Sequence, residues 1–525
     1  MRAKALMVLG TGSHVGKSLL TAALCRILVQ EGYRVAPFKA QNMSLNSAAT
    51  PEGLEIGRAQ AMQADAARIP PSVHMNPVLL KPSSDTSSQL IVRGRVWGQV
   101  GASDYHRARV NELFPIVVDS YHRLAIGHDV VVLEGAGSPA EINLQSMDIV
   151  NMRMADAADA ACLLVGDIDR GGVFASLLGT LALLDEAARA RVRGFLVNKF
   201  RGDVALLWPG VESLEARVGK PCVGVVPFLH DVGLEEEDSV TLGEPRTPAP
   251  GWGDYGGAVR PLRVAVIALP YLANFTDFDP LAAEPSVAVA YVRSPPELRR
   301  ADLVILPGTK QTIADFRWLE ESGLSKAIEA NAVGGGPIVG ICGGMQMLGL
   351  AILDPHGMEG GGGAAGLGLL PIRTVLADEK TMLRARGWLA EPRLFGQGME
   401  HSQVEGYEIH LGETAYEPGS TPLFRLMREG EGSPRADGAV ADGGRILGTY
   451  LHGLFDSDAF RHSFLRAARA ACGLEPPREL VWFSAEREAR FDRLASHVRA
   501  SVRLEQILAW LGLERPRRLR VGVEA

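Results

Sequence analysis

Short unbroken runs of apolar residues alternate with longer stretches in which apolar positions recur every three or four residues. Continuous Val/Ile/Leu runs of strand length fit strands buried on both faces, and the helical recurrence fits the helices that cover them. Lys4–Gly10 (KALMVLG) reads as the first such strand and residues 18–31 as the helix that follows. Further strands are expected at 34–39, 128–135, 161–169, 194–200 and 222–228. A second alternating series opens at Leu262 (LRVAVIAL) and runs on through ADLVILPG and PIVGI. Beyond a glycine-rich loop at 356–368, expected to be mobile, residues 401–417 and 441–455 read as strands of a mixed sheet. From Ser484 the apolar positions Phe491, Leu494, Val498 and Val502 fall three or four apart, as on an amphipathic helix. The pattern predicts an α/β protein of two parallel-sheet domains, with no internal repeat.

Between the two series the chain turns acidic and rich in glycine and proline, which marks a linker. The expected division is a first domain at 1–235, a linker at 236–261, a second domain at 262–475 and a helical tail at 476–525. A length of 525 residues exceeds what one core serves, in agreement with that division. Lys plus Arg number 54 against 61 Asp plus Glu, and the resulting net charge of −7 argues against general nucleic-acid binding. The basic run RPRRLR near the end then reads as a solvated terminus. Cys25, Cys162, Cys222, Cys342 and Cys472 are scattered with no C-x-x-C pair, so neither a disulfide framework nor a structural zinc site is expected. The opening segment does not read as a secretory signal, and no apolar run reaches membrane-spanning length. The expectation is a cytoplasmic protein with no membrane partner; oligomeric state has no signature in the sequence.

Two segments carry chemistry. Residues 10–18 read GTGSHVGKS between the first strand and the first helix. Phosphate binding needs backbone N–H groups, a helix N-terminus and a cation, and this segment supplies all three. Gly10, Gly12 and Gly16 let the chain wrap closely, and Thr11 stands where the common G-x-x-x-x-G-K-[ST] motif has its first glycine. Lys17 would reach the outer phosphates and the Ser18 hydroxyl a magnesium ion. Glu134, at the end of a strand in LEGAGSPAEINL, is a metal-side carboxylate, with Asp167 and Asp169 (GDIDRGG) as weaker candidates. Lys39 (PFKAQNMSLNS) either neutralises phosphate or substrate carboxylate or is an exposed strand-end lysine. The pair Asn198–Lys199 is an incomplete base-reading motif.

The second segment is PIVGICGGMQM, in which Cys342 sits at a strand-to-helix turn within G-x-C-x-G. Such a turn exposes a nucleophile, needs small neighbours, and lets the helix N-terminus favour the thiolate. The N–H groups after Cys342, with a donor from the loop LPGTK, would stabilise an oxyanion. A thiol nucleophile needs a base; His452 (GTYLHGLF) is the first candidate and His410 (GYEIHLG) its rival.

The variant P-loop resembles the dethiobiotin-synthetase-like enzymes, which join ATP to carboxylates through acyl or carbamate phosphates. GICGGMQ with a downstream histidine resembles the class I glutamine amidotransferases, a flavodoxin-like fold, and that likeness makes Cys342 the nucleophile and His452 its base. The family's usual acid, two residues after the histidine, is Leu454 here. HGLF matches the cobyrinic/cobyric acid synthase branch, for which the resemblance implies a Cys–His pair without an orienting carboxylate and slow glutamine turnover. The ordered set GTGSHVGKS, KAQNMSLNS, LEGAGSPAEINL, GDIDRGGVFASL, NKFRGD, GICGGMQMLG, GYEIHLGET and GTYLHGLF is similar to the cobyric acid synthase family. The resemblance implies ATP- and glutamine-dependent amidation of the b, d, e and g carboxylates of a cobalt corrinoid, (adenosyl)cobyrinic acid a,c-diamide. It implies ATP at Gly10, Thr11, Gly12, Gly16, Lys17, Ser18 and Lys39, and Mg2+ at Ser18 and Glu134.

Overall fold

The computed structural model describes residues 3–83, 87–101, 105, 110–230, 233–234, 252 and 260–514. Most of the expected linker at 236–261, and the run RPRRLR, lie outside the described residues. The chain forms two compact units. The first comprises Met1–Met43, Glu55–Leu234 and Arg487–Ala525, and the second Ser44–Leu54 and Glu235–Glu486.

In the first unit the apolar runs become a six-stranded sheet, ordered Cys222–Pro227, Val192–Phe200, Ala161–Asp167, Lys4–Gly10, Val130–Glu134 and Val35–Phe38. Every neighbouring pair is parallel. All five residues of Val130–Glu134 are buried, as expected of a strand covered on both faces. The helix Lys17–Gln30 follows the first strand. Phe491, Leu494 and Val498 near the chain's end are buried in the same core as Leu6, Val8 and Leu24, which accounts for their three- and four-residue spacing. The pattern gave no forewarning of a four-stranded sheet of Gln41–Met43, Val78–Pro82, Ser87–Val92 and Arg95–Gly101.

The second unit has a sheet ordered Val287–Val292, Leu262–Ile267, Leu303–Leu306, Ile338–Ile341, Ile446–Thr449 and Ala439–Ala441. Its first five strands are parallel, and the last is antiparallel to its neighbour. A separate seven-stranded mixed sheet is built on the long pair Ile372–Leu389 and Gln403–Tyr416. The glycine-rich stretch expected as a mobile loop contains the strand Gly362–Ala365, antiparallel to Ala351–Asp354. The Asp354 carboxylate accepts the N–H groups of Met358, Glu359 and Gly361 at 2.7, 2.7 and 2.9 Å, which tethers that stretch. Among the described residues no helix is long and apolar enough to cross a membrane.

Candidate active sites

In the first unit the chain leaves Lys4–Gly10 and enters the helix Lys17–Gln30 through the glycine loop. Gly16 adopts φ +94°, and a Cβ there would lie 2.3 Å from Asn198 Nδ2, so both conformation and space require glycine. Asn198 Nδ2 donates to Val15 O at 2.8 Å, and Lys199 Nζ donates to His14 O at 2.6 Å and pairs with Asp167 at 2.9 Å. The Asn198–Lys199 pair therefore braces the loop from the end of Val192–Phe200, two strands away in the sheet. The Lys17 ammonium lies among carbonyls, donating to Gly12 O at 2.7 Å and Gly137 O at 3.2 Å. Thr11 N donates to Val165 O at 2.9 Å, which ties the front of the loop to the sheet.

Glu134 is the hub. Its carboxylate, 1% exposed, accepts Ser18 Oγ–H at 2.9 Å, Lys39 Nζ at 3.0 Å and Gln63 Nε2 at 2.5 Å. Lys39 is buried, so it is not an exposed strand-end lysine. Gln63, on the helix Arg58–Ala66, was not foreseen from the sequence; its only signal was a polar residue in an alanine-rich helix that packs inward. Asp169 pairs with Arg201 at 2.9 Å, so both weaker metal candidates are engaged by cations. The Ser18 and Glu134 oxygens form a hard donor pair suited to magnesium, which takes one or two protein oxygens and completes its shell with phosphate and water.

In the second unit Cys342 lies between Ile338–Ile341 and the helix Gly343–Leu348, at φ 53° and ψ −114°, a strained backbone for a residue with a side chain. Its N–H donates to Thr449 O at 2.8 Å and its carbonyl accepts Gln346 N at 3.1 Å. A Cβ at Gly344 would stand 1.9 Å from Leu306 O, which is why the turn needs that small neighbour. The Cys342 thiol is buried and donates to Ile409 O at 3.4 Å.

His452 pairs across the antiparallel ladder with Tyr407. Its Nδ1 meets Asp277 Oδ2 at 2.6 Å, and the other Asp277 oxygen accepts Gly453 N at 3.1 Å. Nε2 has no hydrogen-bond partner of its own. Burial disfavours the imidazolium, yet the Asp277 carboxylate and the adjacent Cys342 push His452 up to about 10. His410 differs: its ring stacks on Tyr450 at 3.7 Å, and burial lowers its pKa despite Glu408. The structure thus brings Cys342 to His452 and leaves His410 with Tyr450. Gln346 Nε2 donates to Tyr450 Oη at 3.0 Å and Leu411 O at 3.1 Å, and Thr312 Oγ1–H donates to Gln346 Oε1 at 3.2 Å, so a polar wall stands one helical turn from the thiol.

The expectation of a Cys–His pair without an acid is corrected. The carboxylate at His452 Nδ1 is that of Asp277, in the turn Phe275–Phe278, 175 residues before the histidine. Leu454, in the position where the acid was sought, is buried in the apolar core. The available signal was NFTD shortly after the strand Leu262–Ile267, since sites in open parallel sheets gather beyond strand C-termini. Slow turnover inferred from a missing acid therefore loses its basis.

Two family models match this chain: a CobQ/CobB/MinD/ParA nucleotide binding domain over residues 6–242 and a CobB/CobQ-like glutamine amidotransferase domain over 263–460. The cobyric acid synthase of Sorangium cellulosum is 49% identical over 98% of this chain and 100% of its own. Those of Syntrophobacter fumaroxidans and Desulforudis audaxviator are 48% and 49% identical, each over 98% of this chain and 99% and 100% of their own. The chain belongs to the cobyric acid synthase family. Membership in the cobyric acid synthase family accounts for both sites: the glycine loop lies in the nucleotide-binding match, and Cys342, His452 and Asp277 lie in the amidotransferase match.

Proposed function

We propose that this chain is a glutamine-dependent carboxylate amide ligase that forms cobyric acid from (adenosyl)cobyrinic acid a,c-diamide, amidating the b, d, e and g carboxylates in cobalamin biosynthesis. The observation that carries the reading is the buried Cys342–His452–Asp277 set in a chain that also holds a variant P-loop. Cys342, as thiolate, attacks the glutamine amide carbon; the His452 imidazolium gives its proton to the departing ammonia, and water, deprotonated by His452, cleaves the thioester to glutamate. N–H groups at the start of Gly343–Leu348, the helix that follows Cys342, would stabilise the developing oxyanion.

In the first unit a substrate carboxylate takes the γ-phosphoryl group of ATP, and ammonia then displaces phosphate from the acyl phosphate. Lys17 neutralises the outer phosphates, the loop N–H groups hold them, and Lys39 offsets charge between Glu134 and the phosphates. Mg2+, held by Ser18 and Glu134, would add charge neutralisation at the phosphates. The domain boundaries proposed are 1–235 for amide synthesis and 262–475 for amidotransfer, and the setting proposed is the cytoplasm.

The test is mass spectrometry of cobyrinic acid a,c-diamide incubated with the protein, Mg-ATP and amide-labelled glutamine. Four label incorporations, abolished by Cys342→Ala and restored by ammonium, are expected. Label at the a and c positions of cobyrinic acid instead would assign the sister diamide synthase activity, and no labelled corrinoid would overturn the reading.

A further inference from the structure

Residues 44–54 cluster with the second unit, although the chain on either side of them belongs to the first. The segment is buried there: Ser47, Ala48, Ala49 and Thr50 are all buried, and Ala49 packs with Tyr407, Ile409 and Met382. A tight turn closes it, with Thr50 N donating to Leu54 O at 2.8 Å and Gly53 N to Thr50 O at 3.0 Å. Gly53 adopts φ +70°, and a Cβ there would lie 2.9 Å from Met382 O.

Two of its contacts converge on one side chain. Tyr407 Oη–H donates to Ser47 O at 3.2 Å, and the Tyr407 ring stacks on His452 at 5.4 Å with an 18° tilt. Ser47 N donates to Asn274 Oδ1 at 3.1 Å. Asn274, itself in the left-handed region at φ 55°, opens the turn Phe275–Phe278 that presents Asp277 to His452. Both neighbours of the imidazole, its stacking partner and the turn bearing its acid, are thus fastened to the backbone of one residue, Ser47.

We propose that residues 44–54 are a positioning element for His452, acting through Tyr407 and Asn274, and that glutamine hydrolysis answers through them to occupancy of the nucleotide site. The inference rests on the reading that Cys342 and His452 hydrolyse glutamine. Its covalent basis is short: the segment starts five residues after Lys39 and ends nine before Gln63, and both of those side chains bind Glu134. A change at Glu134 on nucleotide binding pulls on both ends of the segment. Tyr407 touches no reacting atom; it holds the plane of the ring that does.

Tyr407→Phe removes the hydroxyl that grips Ser47 and keeps the stacked ring, while Gly53→Ala displaces the turn. Glutaminase kcat, KM and pH profile are measured for wild type and both variants, with and without Mg-ATP and the corrinoid, alongside ammonium-supported amidation as the readout of a folded chain. Wild-type glutaminase is expected to rise severalfold or more with the nucleotide and corrinoid. Both variants should lose that response and lower kcat with KM for glutamine unchanged, their alkaline limb moving to lower pH and ammonium-supported amidation persisting. Variants that keep the response and the wild-type limb, or a wild type that shows no response, would overturn the inference. A wild type without Cys342-dependent glutaminase would instead overturn the reading beneath it.

Discussion

Replacing Asp277 with asparagine isolates the charge that sets the histidine. Asp277 lies 2.6 Å from His452 Nδ1 in a site where both side chains are buried. Raising the imidazole from 6.5 to about 10, against the burial that lowers it, corresponds to about 5 kcal/mol of preference for imidazolium at ~1.4 kcal/mol per pH unit. The direction follows from charge. With Asp277 present the imidazolium persists through neutral pH and loses its proton only as pH rises through about 10, so it is available well into the alkaline range. In Asp277→Asn the opposing carboxylate is gone and burial remains, so the alkaline limb of kcat/KM for glutamine should fall by several pH units, to neutrality or below. The asparagine amide can also donate to Nδ1 and hold the wrong tautomer, a fault that costs on the order of 10⁴ in kcat in serine-protease triads. We expect a loss of roughly 10²–10⁴ in glutaminase kcat with ammonium-supported amidation retained. The assay is glutamate release from pH 5 to 11. A variant within about threefold of wild type, with its alkaline limb in place, would refute a role for Asp277 in holding the imidazolium.

Four other outcomes follow from the same structure. Glu134→Gln should abolish ATP-dependent amidation and the rise of glutaminase with nucleotide while sparing basal glutamate release, and should lower stability by about 3–5 kcal/mol in urea unfolding because Lys39 is left buried without its counter-charge. Gly344→Ala drives a methyl into Leu306 O and should remove alkylation of Cys342 by a glutamine-analogue electrophile, a loss mass spectrometry would detect. Arg461 and Glu284 are paired at 2.8 Å and fully buried, so Arg461→Ala should cost about 3–5 kcal/mol, measured as a lowered Tm. Burial, with Glu408 nearby, pushes Asp437 up to about 7, above its ordinary value; stability from that group is present below pH 4 and is lost as pH rises through 7. Asp437→Asn should accordingly flatten the fall in urea midpoint between about pH 4 and about 7; an unchanged fall would assign it to another group.

What could be read in the sequence is what its neighbours along the chain determine. The strands at Lys4–Gly10, Leu262–Ile267 and Ile338–Ile341 declare themselves as apolar runs because both faces of each are covered. The glycine loop and the Cys342 turn declare themselves because phosphate binding and a strained nucleophile each impose residue types on consecutive positions. The sheet of Gln41–Met43, Val78–Pro82, Ser87–Val92 and Arg95–Gly101 gave no such sign: Arg95–Gly101 is mostly open to solvent and carries no continuous apolar run.

The groups that tune each site were hidden for a different reason. An orienting carboxylate has to reach a nitrogen, and nothing requires it to come from the histidine's own strand. Here position 454 is filled by a core leucine and the charge arrives from the turn after Leu262–Ile267, just as Gln63 reaches Glu134 from another helix. The pattern HGLF therefore reports the loss of one route to the acid, not the loss of the acid. The same holds for Ser44–Leu54, whose sequence (SLNSAATPEGL) looks like an ordinary polar loop and whose partners lie more than two hundred residues on, at Asn274 and Tyr407. In a parallel-sheet enzyme the strand ends converge in space however far apart they lie in the chain. A missing neighbour in a motif should accordingly prompt a search of the other strand ends before the chemistry is judged impaired.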